Sequence, residues 1–265
     1  PNRLPVMRVV LHAGFHKTGT TTVQQALYRN RDTLASHLRL VPRVRMVPAG
    51  KAAQAWSAGG DPFDLALFGY ELAQVMEAWD GDDPRPVVVS AEDLCGHMPG
   101  RAGVDGYAAT APLTQAVADT LAALHPKAAP VFYFSTRGAG DWLASAHVQH
   151  LRASRMTLGA EAFRDRFRGA ADLTAVAEGI AAALAPIPVH HCALEKSRAR
   201  PLGPLDPLLD LLDLPEGLRD RLEPLPPANT ALPPDCAEDL LALNRSDLDD
   251  AALREAKRAL IAERA

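Results

Sequence analysis

The sequence predicts an α/β protein with a central, mainly parallel β-sheet flanked by helices. Four short apolar runs, at 7–13, 86–91, 130–135 and 187–194, are rich in Val, Ile, Phe or Tyr and read as buried strands. Long segments with helical spacing separate them. A glycine-punctuated loop after the first run then leads directly into a helix, the strand, loop and helix order of such a sheet.

The first run ends at Gly14, and the segment 14–19 cannot easily continue a strand, whereas Val23, Ala26 and Leu27 fall on one helical face. Leu67, Leu72, Val75 and Met76 mark a helix before the second run, and Leu113, Val117, Leu121 and Leu124 mark another before the third. Beyond Leu194 the chain becomes proline-rich and helical. One helix is expected over 205–212 and another over 247–261, the latter preceded by Ser246 and Asp249 in a capping-box-like spacing. The prolines of 222–234 suggest an irregular surface crossing rather than a linker. The expectation is one domain over 1–265, with its proline-rich helical part from about 196 and no internal repeat.

Composition narrows the functions. A chain of 265 residues with 48% hydrophobic and 23% charged residues can bury one large α/β core. A net charge of −4 and a pI near 6.2 provide no sequence-wide basic field for nucleic acid, so an anionic ligand must be met locally. Cys95, Cys192 and Cys236 are odd in number and lack a CxxC spacing, which suggests neither a disulfide framework nor a zinc ribbon and points to a reducing compartment. The most apolar stretch, 179–189, is too short to span a bilayer and is broken by Pro186 and Pro188. No signal-peptide pattern opens the chain. A cytoplasmic protein without stable membrane insertion is expected.

The loop after the first strand carries the chemistry. At a strand-to-helix junction the first-turn N–H groups lack helical partners and point outward with the positive end of the dipole, forming a phosphate or sulfate site. Lys17 adds a full charge, Thr20, Thr21 and Thr22 add hydroxyls, and Gly19 lets the backbone approach an anion closely. A nucleotide-hydrolase loop has Lys immediately after its last Gly and then a Ser or Thr on magnesium. Here Thr20 occupies that place and Lys17 lies inside the loop, which argues against a magnesium-dependent kinase or hydrolase. A nucleotide-binding protein without turnover is a further alternative.

The string Lys17-Thr18-Gly19-Thr20-Thr21 resembles the donor loop of PAPS-dependent sulfotransferases. Gly14-Phe15-His16-Lys17-Thr18-Gly19-Thr20-Thr21 looks like the version in bacterial and carbohydrate-type members; Thr22 stands where cytosolic steroid and phenol sulfotransferases usually have an aromatic residue. The resemblance implies a P-loop-type three-layer fold, with PAPS (3′-phosphoadenosine 5′-phosphosulfate) as co-substrate and no metal. It also implies that His16, Lys17, Thr18, Gly19, Thr20, Thr21 and Thr22 bind the 5′-phosphosulfate. The family uses an Arg at a strand end and a Ser eight residues on to hold the 3′-phosphate, and Arg137 and Ser145 match that spacing. A guanidinium and a hydroxyl suit a phosphate physically. Gly138-Ala139-Gly140 departs from the Asn-Pro often found after that Arg.

Sulfuryl transfer needs an in-line acceptor, a base for its proton, and positive charge on the leaving phosphate. Lys17 supplies the charge. Glu92 is the expected base, since it ends the second run, where open α/β sheets bind ligands, and Ser90-Ala91-Glu92 resembles the Ser-x-Glu segment of carbohydrate-type sulfotransferases. Asp93 and His97 are its competitors; the cytosolic branch uses a histidine in this region. His190, His191 and Cys192 alternate faces along a strand and do not converge on a metal. His12 reads as a ligand neighbour or a strand-end residue, and Lys196, Arg198 and Arg200 as a solvated basic run. The acceptor, a small molecule or carbohydrate, is expected to meet the variable segments 46–83 and 156–172.

Overall fold

A computed structural model of the chain describes residues 6–225 and 234–264. Its centre is a sheet of β1 (Arg8–His12), β2 (Arg39–Val41), β3 (Val87–Ser90), β4 (Ala129–Thr136) and β5 (Val189–Ala193) in the order β2-β3-β1-β4-β5. Every pairing is parallel. Four of these strands occupy the four apolar runs. The exception, β2, is a three-residue edge strand, too short to form such a run.

Successive β1 side chains explain why those runs are continuous rather than alternating. Val9 and Leu11 enter one core with Phe15, Phe132, Phe134 and Trp142, while Val10 enters a second core with Val23, Leu27, Val88 and Leu208. A strand buried on both faces has no solvent side to leave polar. Helices cover both faces, giving the three-layer α/β arrangement.

Helices α1 (Thr20–Arg29) and α2 (Arg31–Leu34) join β1 to β2; α3 (Arg43–Gly59) and α4 (Pro62–Met76) join β2 to β3; α5 (Thr110–Leu124) joins β3 to β4. Helices α6 (Ala139–Ala153), α7 (Ala160–Phe167) and α8 (Leu173–Leu184) precede β5, and α9 (Leu194–Ser197), α10 (Asp206–Leu209), α11 (Pro234–Arg245) and α12 (Asp250–Arg264) follow it. Local chemistry sets several starts: Asp61 caps the Phe63 N–H with Pro62 at the first turn, and Asp172 caps Ala175. No helix among the described residues is long and apolar enough to cross a membrane.

Two C-terminal expectations need correction. The helix expected over 205–212 is a 3-10 turn, Gly203–Leu205, followed by the four-residue α10. Asp210 is drawn into ion pairs with Arg200 and Arg219 just past its end, and Pro215 disfavours helix at Leu214. The last helix begins at Asp250 rather than 247, because Asp249 caps the N–H groups of Ala251 and Ala252, while Ser246 bonds back to Leu243 at the end of α11. Of the proline-rich stretch 222–234, residues 226–233 lie outside the described residues.

The topology places a switch point between β1 and β4. The connection leaving β1 runs toward β2 on one side and that leaving β4 runs toward β5 on the other, so the carboxyl ends of these adjacent strands diverge. Open α/β sheets bind ligands at such a switch point. Helix α6 follows β4, and the C-terminal helices clasp its far end: Asn244 donates to the Leu151 carbonyl at 3.1 Å and Lys257 to that of Ser154 at 2.8 Å. Cys236 and Leu240 of α11 enter the core that contains Trp142 of α6.

Candidate functional site

The loop from β1 to α1 turns on three residues with left-handed backbone, Gly14 (φ 66°), Lys17 (φ 65°) and Gly19 (φ 93°). Glycine is required at two of them. A Cβ on Gly14 would lie 2.6 Å from Thr20 Cγ2, and one on Gly19 would lie 2.8 Å from Leu194 Cδ1. Lys17 accepts the strain of this conformation, about 1–2 kcal/mol for a residue with a Cβ.

The loop's carbonyls are tied down while its N–H groups are left free. The buried Thr18 hydroxyl donates to the Phe15 carbonyl at 2.5 Å, Trp142 Nε1 to that of His16 at 2.9 Å, and Arg137 Nη1 to that of Lys17 at 3.2 Å. Helix α1 has no side-chain cap, and the N–H groups of Lys17 to Thr22 meet no acceptor among the described residues. Thr20 is buried, Thr22 half-buried and Thr21 exposed.

Cations gather over these N–H groups. Lys17 Nζ donates to Gln149 Oε1 at 3.3 Å. Burial first, then Arg152 and Arg137, hold the Lys17 ammonium below the usual lysine range. Burial and Arg198 likewise lower Arg137, whose Nε is buried without a hydrogen-bond partner. None of Lys17, Arg137, Arg152 or Arg198 lies within 4.0 Å of a carboxylate oxygen among the described residues. Ser145, Gln149 and Arg152 follow the i, i+4, i+7 spacing of one α6 stripe, and the Gln149 contact turns that stripe toward the loop.

An acidic pair lies across the loop, at the start of the 3-10 turn Glu92–Cys95 that follows β3. Gly14 packs against Glu92, whose Oε2 accepts from Gln24 Nε2 at 2.6 Å while Oε1 lies 3.7 Å from Arg43 Nη2. Asp93 is more fully engaged. Its Oδ1 accepts from Gln54 Nε2 at 2.8 Å and faces His16 Nε2 at 3.6 Å, and its Oδ2 is 3.6 Å from Arg43 Nη2. The facing His16 ring, opposed by burial and helped by Arg43 and Gln54, keeps the Asp93 carboxyl below its ordinary value.

The expected residues therefore divide into two groups. Lys17, Arg137 and the 17–22 backbone assemble on the α6 side with the stripe carrying Ser145. Glu92, Asp93 and His97 sit on the β3 side. The His16 imidazole belongs with the second group, since Nδ1 lies 3.3 Å from Tyr107 Oη and Nε2 faces Asp93. His97 donates its backbone N–H to Ser57 Oγ at 2.9 Å; burial, Arg101 and His16 lower its imidazole pKa. His12 is a buried strand residue, bridging Ser90 and Ser135 at 2.8 Å each, with its pKa lowered to about 3 by burial.

Gln24, Arg43, Gln54, Gln149 and Arg152 escape the sequence reading. Arg152 and Gln149 carry a usable signal, the helical spacing from Ser145. Arg43 and Gln54 lie on α3, where Pro48 and many Ala and Gly blur the periodicity. Among the described residues no group of three or more His, Cys, Asp or Glu side chains gathers to hold a metal, and His190 and His191 are exposed. Comparison with protein-family models, with curated proteins and with solved structures finds no match for this chain.

Proposed function

We propose that the chain is a sulfotransferase that moves the sulfuryl group of PAPS to a hydroxyl acceptor and releases 3′-phosphoadenosine 5′-phosphate. One observation supports the reading: Lys17 and Arg137, joined through the Lys17 carbonyl beside the uncapped start of α1, are partly buried with no carboxylate oxygen within 4.0 Å among the described residues, and Arg152 adds its charge to Lys17. Like charges held together and partly buried cost free energy, and an anion removes that cost. The free N–H groups of 17–22 suit the 5′-phosphosulfate, and the unpartnered Nε of Arg137, with Ser145, suits the 3′-phosphate.

In the transfer, the acceptor oxygen forms a bond to sulfur as the bond from sulfur to the 5′-phosphate oxygen breaks. Lys17 stabilises the charge developing on that phosphate. Glu92 takes the acceptor proton; it fits this role better than Asp93 because it packs on Gly14 of the donor loop, whereas Asp93 is held by Gln54 of α3. His97 ranks behind Glu92 because Glu92 alone of the two packs on Gly14 of the donor loop. The acceptor is a small molecule or carbohydrate rather than nucleic acid, and the free Cys95, Cys192 and Cys236 support a cytoplasmic setting.

Incubation with sulfur-labelled PAPS and a metabolite extract, followed by mass spectrometry, tests the reading. Products gaining one sulfate are expected, and they disappear with Lys17→Ala. Hydrolysis of ATP–Mg²⁺ with no use of PAPS would instead indicate a nucleotide hydrolase.

A further inference from the structure

Gln24 lies on α1, four residues after Thr20, and its side chain reaches out of that helix to the acidic turn. Its Nε2 splits its two N–H bonds between Glu92 Oε2 at 2.6 Å and the Ser90 carbonyl at 3.3 Å. Both partners are acceptors, so the amide is fixed with nitrogen inward; a flipped amide would set its oxygen against a carboxylate and a carbonyl. Hydrogen bonds to an ionised carboxylate are about twice as strong as neutral ones. Glu92 is thus held through Oε2, while Oε1 accepts no hydrogen bond among the described residues and has Arg43 Nη2 3.7 Å away.

We propose that Gln24 is a positioning residue that presents Glu92 Oε1 to the acceptor and locks the base to the helix whose start binds the donor. This rests on the sulfotransferase reading above. The donor's 5′-phosphosulfate and the base are then referenced to one rigid element, α1, through Thr20 to Thr22 at one end and Gln24 one turn on. A tether through α1 fixes the distance between sulfur and base, which near-attack geometry requires to within a fraction of an ångström. Asp93 has no such tie to α1; its partners come from α3 and from the loop.

Water serves as the acceptor in the test, because it needs no knowledge of the natural one. Its oxygen bonds to sulfur, the sulfur to phosphate-oxygen bond breaks with its electron pair on the phosphate, and the water proton passes to Glu92. The measurements are release of labelled sulfate from PAPS and calorimetric affinity for 3′-phosphoadenosine 5′-phosphate. Gln24→Met keeps the chain length and removes the donor, so sulfate release is expected to fall roughly tenfold to a hundredfold, the range for a hydrogen bond to a charged group. Nucleotide affinity should change less than about twofold, since no donor contact is touched. Gln24→Lys restores an N–H donor and is expected to recover part of the lost rate, which a purely structural role would not produce. Unchanged release by Gln24→Met, with Glu92→Gln inactive, overturns the role of Gln24 alone. Absence of release from the unaltered protein, or full release by Glu92→Gln, overturns the transfer reading or its base, and the positioning role with it.

Discussion

Arg137 Nη1 donates to the carbonyl oxygen of Lys17 at 3.2 Å, joining two cations of the candidate site across 120 positions of sequence. The contact closes the switch point between β1 and β4 and keeps the Lys17 carbonyl turned away from the free N–H groups. Loop and strand end are therefore held together, as the proposed anion site requires.

That concentration of charge predicts a conflict between stability and binding. With Lys17 held below the ordinary lysine pKa by burial, Arg152 and Arg137, neutralising it relieves the folded protein. Lys17→Met is expected to raise the melting temperature of the ligand-free protein slightly, since solvent screens part of the repulsion on this half-buried group. The same variant should bind 3′-phosphoadenosine 5′-phosphate at least roughly tenfold more weakly. Scanning calorimetry and titration calorimetry on one preparation check both. A variant less stable than the parent would show that Lys17 has a compensating partner.

Alkali should weaken the anion site for the same reason. A lysine whose folded pKa is depressed loses its proton at lower pH than a free one, so nucleotide affinity falls as pH rises through that lowered pKa. Folding stability moves the opposite way in this window: the unfolded chain binds the extra proton up to the usual 10.5, so the Lys17 contribution to stability rises with pH. Affinity measured from neutral pH to about pH 10 should decline in the parent and decline less in Lys17→Arg.

His12 predicts acid lability. Buried between Ser90 and Ser135, its folded pKa lies near 3, against 6.5 unfolded. Between those values the unfolded state binds a proton that the folded state refuses, so stability falls as pH drops through 6.5 toward 3, by at most about 1.4 kcal/mol per pH unit. His12→Asn should be less stable at pH 7 but show a flatter dependence on pH below 6.5 in urea unfolding. An unchanged slope would mean that other groups dominate acid unfolding.

Gly14→Ala should disable the loop locally. The new methyl meets Thr20 Cγ2 at 2.6 Å on a backbone with φ +66°, so α1 must shift or the loop must open. A stability loss of about 1–3 kcal/mol and a roughly tenfold or larger loss of nucleotide affinity are expected. Gly140→Ala, where a Cβ meets nothing within 4 Å, is the matched control.

The sheet was legible because buried parallel strands leave continuous apolar runs, and β1, β3 and β4 each lie on one; β5 also lies on an expected run but, as an edge strand, is only partly buried, with His190 and His191 exposed, which corrects the expectation of a buried strand there. The three-residue β2 leaves no such trace, and α3 conceals itself because its inward face is Ala and Gly rather than Leu. At the candidate site, Lys17, Arg137 and Glu92 stand in a loop or at a strand end, where position alone singles them out. Gln24 and Arg43 act through long side chains reaching between elements, a relationship that spacing within one element does not encode. For His16 the loop motif specifies a position but not the side chain's neighbours, Tyr107 and Asp93, which come from other elements.

The most direct test of a donor site built for two phosphates is titration calorimetry with 3′-phosphoadenosine 5′-phosphate and with adenosine 5′-phosphate, on the parent chain and on Arg137→Ala. The 3′-phosphorylated nucleotide is expected to bind roughly tenfold to a hundredfold more tightly to the parent, with Arg137→Ala abolishing most of that difference while weakening adenosine 5′-phosphate to a smaller extent. Equal affinity of the parent for both nucleotides would contradict the account.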